Sequence, residues 1–333
     1  MIALLLAAAA LPQAATSAVA SPVAEDQAQP LGADLQRFAY AYPVRRFESG
    51  GVAMAYMDVA PTTRANGRTA VLLHGKNFCA ATWAGTAAAL AARGYRVIVP
   101  DQVGFCKSDK PDGFQYSFAA LATRTRDLLA AAGVARAALI GHSTGGMLAI
   151  RYALLYPERV DALVLVNPLG LNDTLAEGVP YAPIEKLRAE EAKTNAASIR
   201  AYQLKNYYHG AWRPEYDRWV AMLAGQYASP DGEKVREAQA RLSDMIETQP
   251  VAAELERLRV PVTLLIGQAD ATAFRGASAP NPAAIRTVPQ AAEGAAKVIP
   301  GATLVRLEGL GHAPQVEAPA RFEAAVTQAL ARP

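Results

Sequence analysis

Two cysteines and four histidines in 333 residues leave little material for metal binding. Neither type falls at the short paired spacings of zinc sites, so no metal is expected. No glycine-rich loop of phosphate-cradling spacing occurs, and no cofactor is implied. Lysine and arginine total 33 against 30 acidic residues, a formal net charge of +3 without a block of one sign. A chain lacking a basic stripe has no electrostatic footprint for nucleic acid. The apolar run Ile2–Leu11 is ten residues long, too short to cross a bilayer, which argues against a stable membrane anchor.

What is present is ample apolar material, 52% of residues with 19% charged, enough for one large α/β domain with an insertion. Ile2–Leu11 followed by Ala18-Val19-Ala20 ahead of Ser21 reads as a secretory signal peptide cut after Ala20. The only positive charge at its start is the terminal amine, since no lysine or arginine precedes Arg37. A periplasmic or secreted product is expected. Residues 21–45 then form a leader, of which Ser21–Gly32, with its Pro, Gln, Glu and Asp, reads as disordered.

Arg46–Val59 alternates as a strand pair turning at Gly50-Gly51. Beyond it, short apolar runs end repeatedly in polar residues. Thr69–Leu73 leads into His74-Gly75-Lys76-Asn77-Phe78, and Tyr95–Pro100 into Asp101-Gln102-Val103-Gly104. Ala135–Ile140 leads into Gly141-His142-Ser143, Ala162–Val166 into Asn167-Pro168, and Val262–Ile266 into Gly267-Gln268-Ala269-Asp270. Continuous apolar strands separated by helical stretches imply a parallel sheet whose strands all end at one edge, where function should lie. Between Leu169 and Leu258 the pattern turns helical, and Ala201–Gly225 is unusually aromatic. Thr272–Pro300, with its prolines and glycines, reads as a loop bordering the pocket.

The sequence Leu139-Ile140-Gly141-His142-Ser143-Thr144-Gly145-Gly146-Met147-Leu148 is a strand, a sharp turn and a helix start. Such a corner strains the serine backbone and needs glycine two positions before and after it, which Gly141 and Gly145 supply. On these residues the chain resembles the α/β-hydrolase superfamily, whose nucleophile elbow has this form. The resemblance implies a mostly parallel sheet with helices on both faces, a core of residues 46–170 and 259–333, and a helical lid over residues 171–258. A lid of this kind supplies apolar walls to a substrate pocket.

A serine hydroxyl needs a base to remove its proton. His142 adjoins the serine and points away, His74 belongs to a His-Gly pair at another strand end, and His209 falls in the lid. His312, in a glycine-flanked loop after the run Leu304–Leu307, fits the superfamily order of serine, acid, then histidine. Asp270 is the expected acid, and Asp173, at the start of the lid, is its rival. Asp101 sits in a turn similar to one that epoxide hydrolases and carbon–carbon bond hydrolases use to shape a loop, and is read as structural. The resemblance places one oxyanion donor at the N–H of Thr144 and the second at Lys76 or Asn77. That loop reads His-Gly-Lys-Asn-Phe, unlike the His-Gly-Gly-Gly of many lipases and esterases, and the Lys76 side chain reads as surface charge. Cys79 and Cys106 each follow a strand end by five residues, and in the resembled fold those strands are neighbours, so a disulfide between them is expected.

The expected activity is hydrolysis of an ester of a small or medium apolar acid or alcohol by Ser143, His312 and Asp270 through an acyl-enzyme. A serine at the elbow, where an aspartate would be needed, excludes epoxide hydrolase and haloalkane dehalogenase chemistry. Carbon–carbon bond hydrolysis and cofactor-free peracid formation use the same three residues and remain alternatives. A lidded protein that binds an apolar ligand without turnover is the alternative from another class.

Overall fold

A computed structural model describes residues 28–331, so the signal peptide and its cleavage after Ala20 lie outside the described residues. The apolar runs become strands β1 (Val44–Ser49), β2 (Val52–Val59), β3 (Thr69–Leu73), β4 (Arg96–Pro100), β5 (Ala137–His142), β6 (Val160–Val166), β7 (Val262–Gly267) and β8 (Thr303–Leu307). They form one sheet in the order β1-β2-β4-β3-β5-β6-β7-β8. β1 and β2 are antiparallel across the Gly50-Gly51 turn, and β2 is antiparallel to β4. All other neighbours are parallel. β5 and β7 are buried at every position, which is why they read as unbroken apolar runs.

Helices α1 (Ala84–Ala91), α2 (Phe118–Ala131) and α3 (Thr144–Leu155) connect the first parallel strands. The insertion between β6 and β7 holds α4 (Ile184–Glu191), α5 (Ala196–Asn206), α6 (Asp217–Tyr227) and α7 (Gly232–Thr248). The chain closes with α8 (Val288–Val298), α9 (Pro314–Glu317) and α10 (Pro319–Leu330). Leu90 of α1 and Phe322 of α10 pack on one sheet face. Leu121 of α2, Leu148 of α3 and Val288 of α8 pack on the other, in a core that continues into the insertion through Tyr208, Trp219 and Leu242.

Two expectations are corrected. The stretch from Thr272 to Pro300 is a loop only in its first half, because Thr287 and Gln290 form a capping box that starts α8 with Pro289 in its first turn. The leader is ordered from residue 28 onward. Leu31 N–H donates to the Gly225 carbonyl (2.8 Å) and Gly32 N–H to Ser229 Oγ (2.8 Å). The Leu31 side chain fills the space that a Cβ on Gly225 would need, and Leu35 is fully buried. A polar composition concealed the buried Leu35 and the half-buried Leu31.

Two buried histidines brace the edge where the strands end. Gln102 N–H donates to His74 Nε2 (3.1 Å), so His74 Nδ1 must carry the proton that bonds the Gly75 carbonyl (2.9 Å). His142 Nε2–H donates to the His312 carbonyl (2.7 Å). Burial pushes both imidazoles below their ordinary value, His142 far below it with the help of neighbouring His312. Both therefore fold neutral and must gain a proton to unfold in acid.

Their contribution to stability is complete above the unfolded histidine value of about 6.5 and is lost progressively as pH falls below it. The thermal midpoint should drop between pH 7 and pH 5, above the range where carboxylates titrate; a flat midpoint over that window contradicts the assignment. A second expectation concerns Gly145, where a Cβ would overlap the Leu73 carbonyl oxygen and press on that of His74. Gly145→Ala should cost about 3 kcal/mol, at the upper end of overpacking penalties, read by urea denaturation.

Candidate active site

β5 ends at His142, and one residue later α3 begins, so the direction of the chain reverses at Ser143. Ser143 takes φ +55° and ψ −120°, a region that residues with a side chain rarely occupy. Backbone bonds hold it there: Ser143 N–H donates to the Val166 carbonyl (3.0 Å), and its own carbonyl accepts from Gly146 (2.9 Å) and Leu169 (3.2 Å). A Cβ at Gly141 would strike the Gly145 carbonyl, and one at Gly146 would lie 2.5 Å from Pro168 Cβ. The corner thus needs three glycines where the sequence reading required two. The Ser143 hydroxyl makes no capping bond to α3, so it is not serving as a helix cap.

His312 and Asp270 meet at this edge. His312 Nδ1 lies 2.7 Å from Asp270 Oδ2, and the residues are 0% and 3% exposed. The other carboxylate oxygen accepts the Thr272 N–H (2.8 Å). A carboxylate can only accept, so Nδ1 carries the proton and Nε2 presents a lone pair. Nε2 is buried and has no hydrogen-bond partner among the described residues, so the bond from the Ser143 hydroxyl is not formed in this conformer. The His142 ring lies 4.9 Å from that of His312, and a Cβ on Gly75 would touch both His142 Nδ1 and Ser143 Cβ at 2.9 Å. Asp173 is elsewhere, accepting the Ala176 N–H (3.1 Å) at the start of the insertion.

Asn167, fully buried after β6, aligns the edge. Its Oδ1 accepts the Gly267 N–H (2.7 Å) and its Nδ2 donates to the Gly311 carbonyl (2.8 Å), tying the end of β7 to the His312 loop. Among the described residues no acceptor takes the N–H of Thr144, expected as one oxyanion donor, or that of Lys76 or Asn77, one of which is expected as the second. The side chains of the latter two face the insertion. Lys76 Nζ pairs with Glu191 Oε1 at 2.7 Å, with side chains only 15% and 11% exposed, so Lys76 is not the surface charge expected of it. Asn77 Nδ2 donates to Tyr207 Oη (3.0 Å). Behind this loop a disulfide joins Cys79 and Cys106, Cα atoms 6.0 Å apart. Asp101, fully buried, accepts from Ala80 N–H (2.7 Å), Tyr40 Oη (2.7 Å) and Lys107 N–H (3.1 Å), which shapes the same loop.

The insertion supplies contacts that the sequence did not reveal. Tyr207, just after α5, accepts the His312 N–H on its carbonyl (3.0 Å) and lays its ring 4.6 Å from the imidazole. Gly311 must be glycine because a Cβ would overlap that carbonyl. Glu317 accepts the Gly311 N–H (2.6 Å) on one oxygen and pairs with His209 Nε2 (2.7 Å) on the other. Tyr207 was hidden in an aromatic stretch, and nothing in the sequence marks Glu317. The remaining aromatics largely pack on each other, as Tyr208 and Tyr216 do with rings stacked at 3.7 Å. Consequently the cavity of about 420 Å³ beside Lys76 and Asn77 is lined by polar as well as apolar groups, Glu191, Arg275 and Gln226 among them.

Residues 70–319 match the family described as alpha/beta hydrolase fold. A probable hydrolytic enzyme from Pseudomonas aeruginosa PAO1, known as a crystal structure, is 52% identical with a TM-score of 0.89, over 92% of this chain and 99% of that one. Lipase 1 of Psychrobacter immobilis is 28% identical over 232 residues, 68% of this chain and 65% of the lipase. The 2-hydroxy-6-oxo-6-phenylhexa-2,4-dienoate hydrolase of Burkholderia cepacia is 35% identical over 124 residues, 36% of this chain and 43% of that enzyme. The chain spans between 31% and 65% of the length of the curated relatives it matches. With that match over most of its length and a sheet of the corresponding architecture, the chain belongs to the alpha/beta hydrolase family.

Proposed function

We propose that the chain is a serine hydrolase that cleaves esters of small or medium acids through an acyl-enzyme. The observation that carries this reading is the buried His312–Asp270 pair at 2.7 Å, whose unpartnered Nε2 lies at the sheet edge occupied by Ser143 on its strained corner. Ser143 Oγ attacks the ester carbonyl and passes its proton to His312 Nε2, while the Asp270 carboxylate stabilises the imidazolium. The carbonyl oxygen becomes an oxyanion and takes the N–H of Thr144 and that of Lys76 or Asn77. His312 returns the proton to the departing alcohol, and a water activated by the same imidazole releases the acid. The helices between β6 and β7 act as a lid over this edge.

Carbon–carbon bond hydrolysis and peracid formation would use the same residues. The ester reading is preferred because the likeness to the lipase runs over 232 residues and that to the dienoate hydrolase over 124. Turnover of p-nitrophenyl esters, against that of a vinylogous diketone and against peracid formation, separates the three. Export to the periplasm or beyond is proposed as well, supported by the apolar N-terminal run and by a disulfide, which persists in oxidising compartments.

Ser143→Ala should lower kcat for p-nitrophenyl esters by on the order of 10⁴ or more, keep the thermal midpoint, and abolish labelling by a fluorophosphonate. Most of the activity surviving that change removes the proposed nucleophile. Asp270→Asn should lower kcat by on the order of 10⁴, since an amide there no longer enforces the proton on Nδ1. The same loss from Asp173→Asn, with Asp270→Asn near wild type, would move the acid to the rival position.

A further inference from the structure

The cavity beside the oxyanion loop contains two cations, and each is already matched by a carboxylate. Lys76 Nζ sits 2.7 Å from Glu191 Oε1, and Arg275 Nη1 sits 2.5 Å from Glu190 Oε2. Glu190 and Glu191 are consecutive residues at the end of α4, and they clasp two different core loops, one after β3 and one after β7. Behind Arg275 lies a further carboxylate, that of Glu247, fully buried and 3.4 Å from the guanidinium. The second oxygen of Glu191 accepts from Tyr227 Oη (2.9 Å). Arg236 stands behind Tyr227 and donates to the backbone carbonyl of Glu191 (2.6 Å), outside the cavity lining. The other polar groups of the wall are neutral, including Gln226, Gln239, Ser198 and Ser243.

An anionic acyl chain entering this space would leave its hydration shell and find no unpaired cation, only carboxylates already in place. Taking Lys76 for itself would strand Glu191, a carboxylate 11% exposed, without its counter-charge. A neutral chain carries no such penalty, and its hydroxyl or amide groups meet glutamine and serine partners along the wall. We propose that this cavity is the acyl pocket and selects neutral chains bearing a hydrogen-bonding group, while it rejects chains ending in a carboxylate. The proposal rests on the ester-hydrolase reading for the position of the scissile bond.

The test uses binding, so that it does not depend on turnover. Three unreactive p-nitroanilides of one chain length, hexanoyl, 6-hydroxyhexanoyl and the adipoyl half-acid, are titrated calorimetrically against Ser143→Ala protein. The hydroxylated chain should bind at least as tightly as the hexanoyl chain, and the half-acid about tenfold more weakly than either. Glu191→Gln, which keeps the shape and frees the Lys76 charge, should reduce that discrimination about tenfold, as expected for one uncompensated charge near a partly exposed site. Ser278→Lys, which adds an unpaired cation at an exposed position of the same wall, is the second variant should the first fail to fold. Equal or tighter binding of the half-acid to the parent protein, weaker binding of the hydroxylated chain than of the hexanoyl chain, or discrimination unmoved in the folded variants overturns the proposal. Fluorophosphonate labelling of the wild-type protein, run in parallel, reports on Ser143 alone, so loss of the ester reading is seen separately.

Discussion

One backbone constraint organises this molecule: at Ser143 the chain passes from the central strand into a helix in a single residue, at a positive φ that only tight surroundings can hold. The strain is borne by packing. Glycine at 141, 145 and 146 lets the first turn of α3 press against its own strand, against the end of β3 and against Pro168. The same closeness leaves the N–H groups of Thr144 and Gly145 at the start of α3 unspent, and packs Gly75 of the loop after β3 against Ser143. A proposed oxyanion site therefore follows from the corner itself.

The second dependence runs through the insertion. A lid is often pictured as a cover that swings clear of a finished site. Here the segment after α5 donates no residue to the proposed triad, yet the Tyr207 carbonyl, the Tyr207 ring and the His209–Glu317 pair together fix the backbone of Gly311 and His312. Lys76–Glu191 and Asn77–Tyr207 fasten the opposite loop to the same insertion. Core and insertion thus hold the two halves of the site in register, and moving the helices would disturb the imidazole as well as the pocket wall. The disulfide between Cys79 and Cys106 and the three bonds accepted by the Asp101 side chain tie the same loop to the turn after β4.

The fold was largely legible in the residues, because a strand buried on both faces has to be a continuous apolar run and a corner of this kind has to be flanked by glycine. The positions of Ser143, Asp270 and His312 at one edge follow from parallel strands ending together. Expectations failed where composition stood in for packing. The polar leader hides Leu31 and Leu35, which are held against the insertion and the core, and the proline-rich stretch after Asp270 hides a capped helix. Lys76 read as surface charge because nothing near it in the chain is acidic; its partner is 115 residues away.

The sequence by itself determined the order of strands and helices, the sharp corner and the residue types able to attack, accept a proton and orient a base. Those properties depend on local sterics and on side-chain chemistry, which travel with each residue. Tertiary structure alone decided that Asp270 and not Asp173 faces His312, that Asn167, Tyr207 and Glu317 hold its loop, and that every cation of the cavity has its own carboxylate. Each of these is a meeting of groups far apart in the chain, set by distances of about 3 Å that no local pattern encodes.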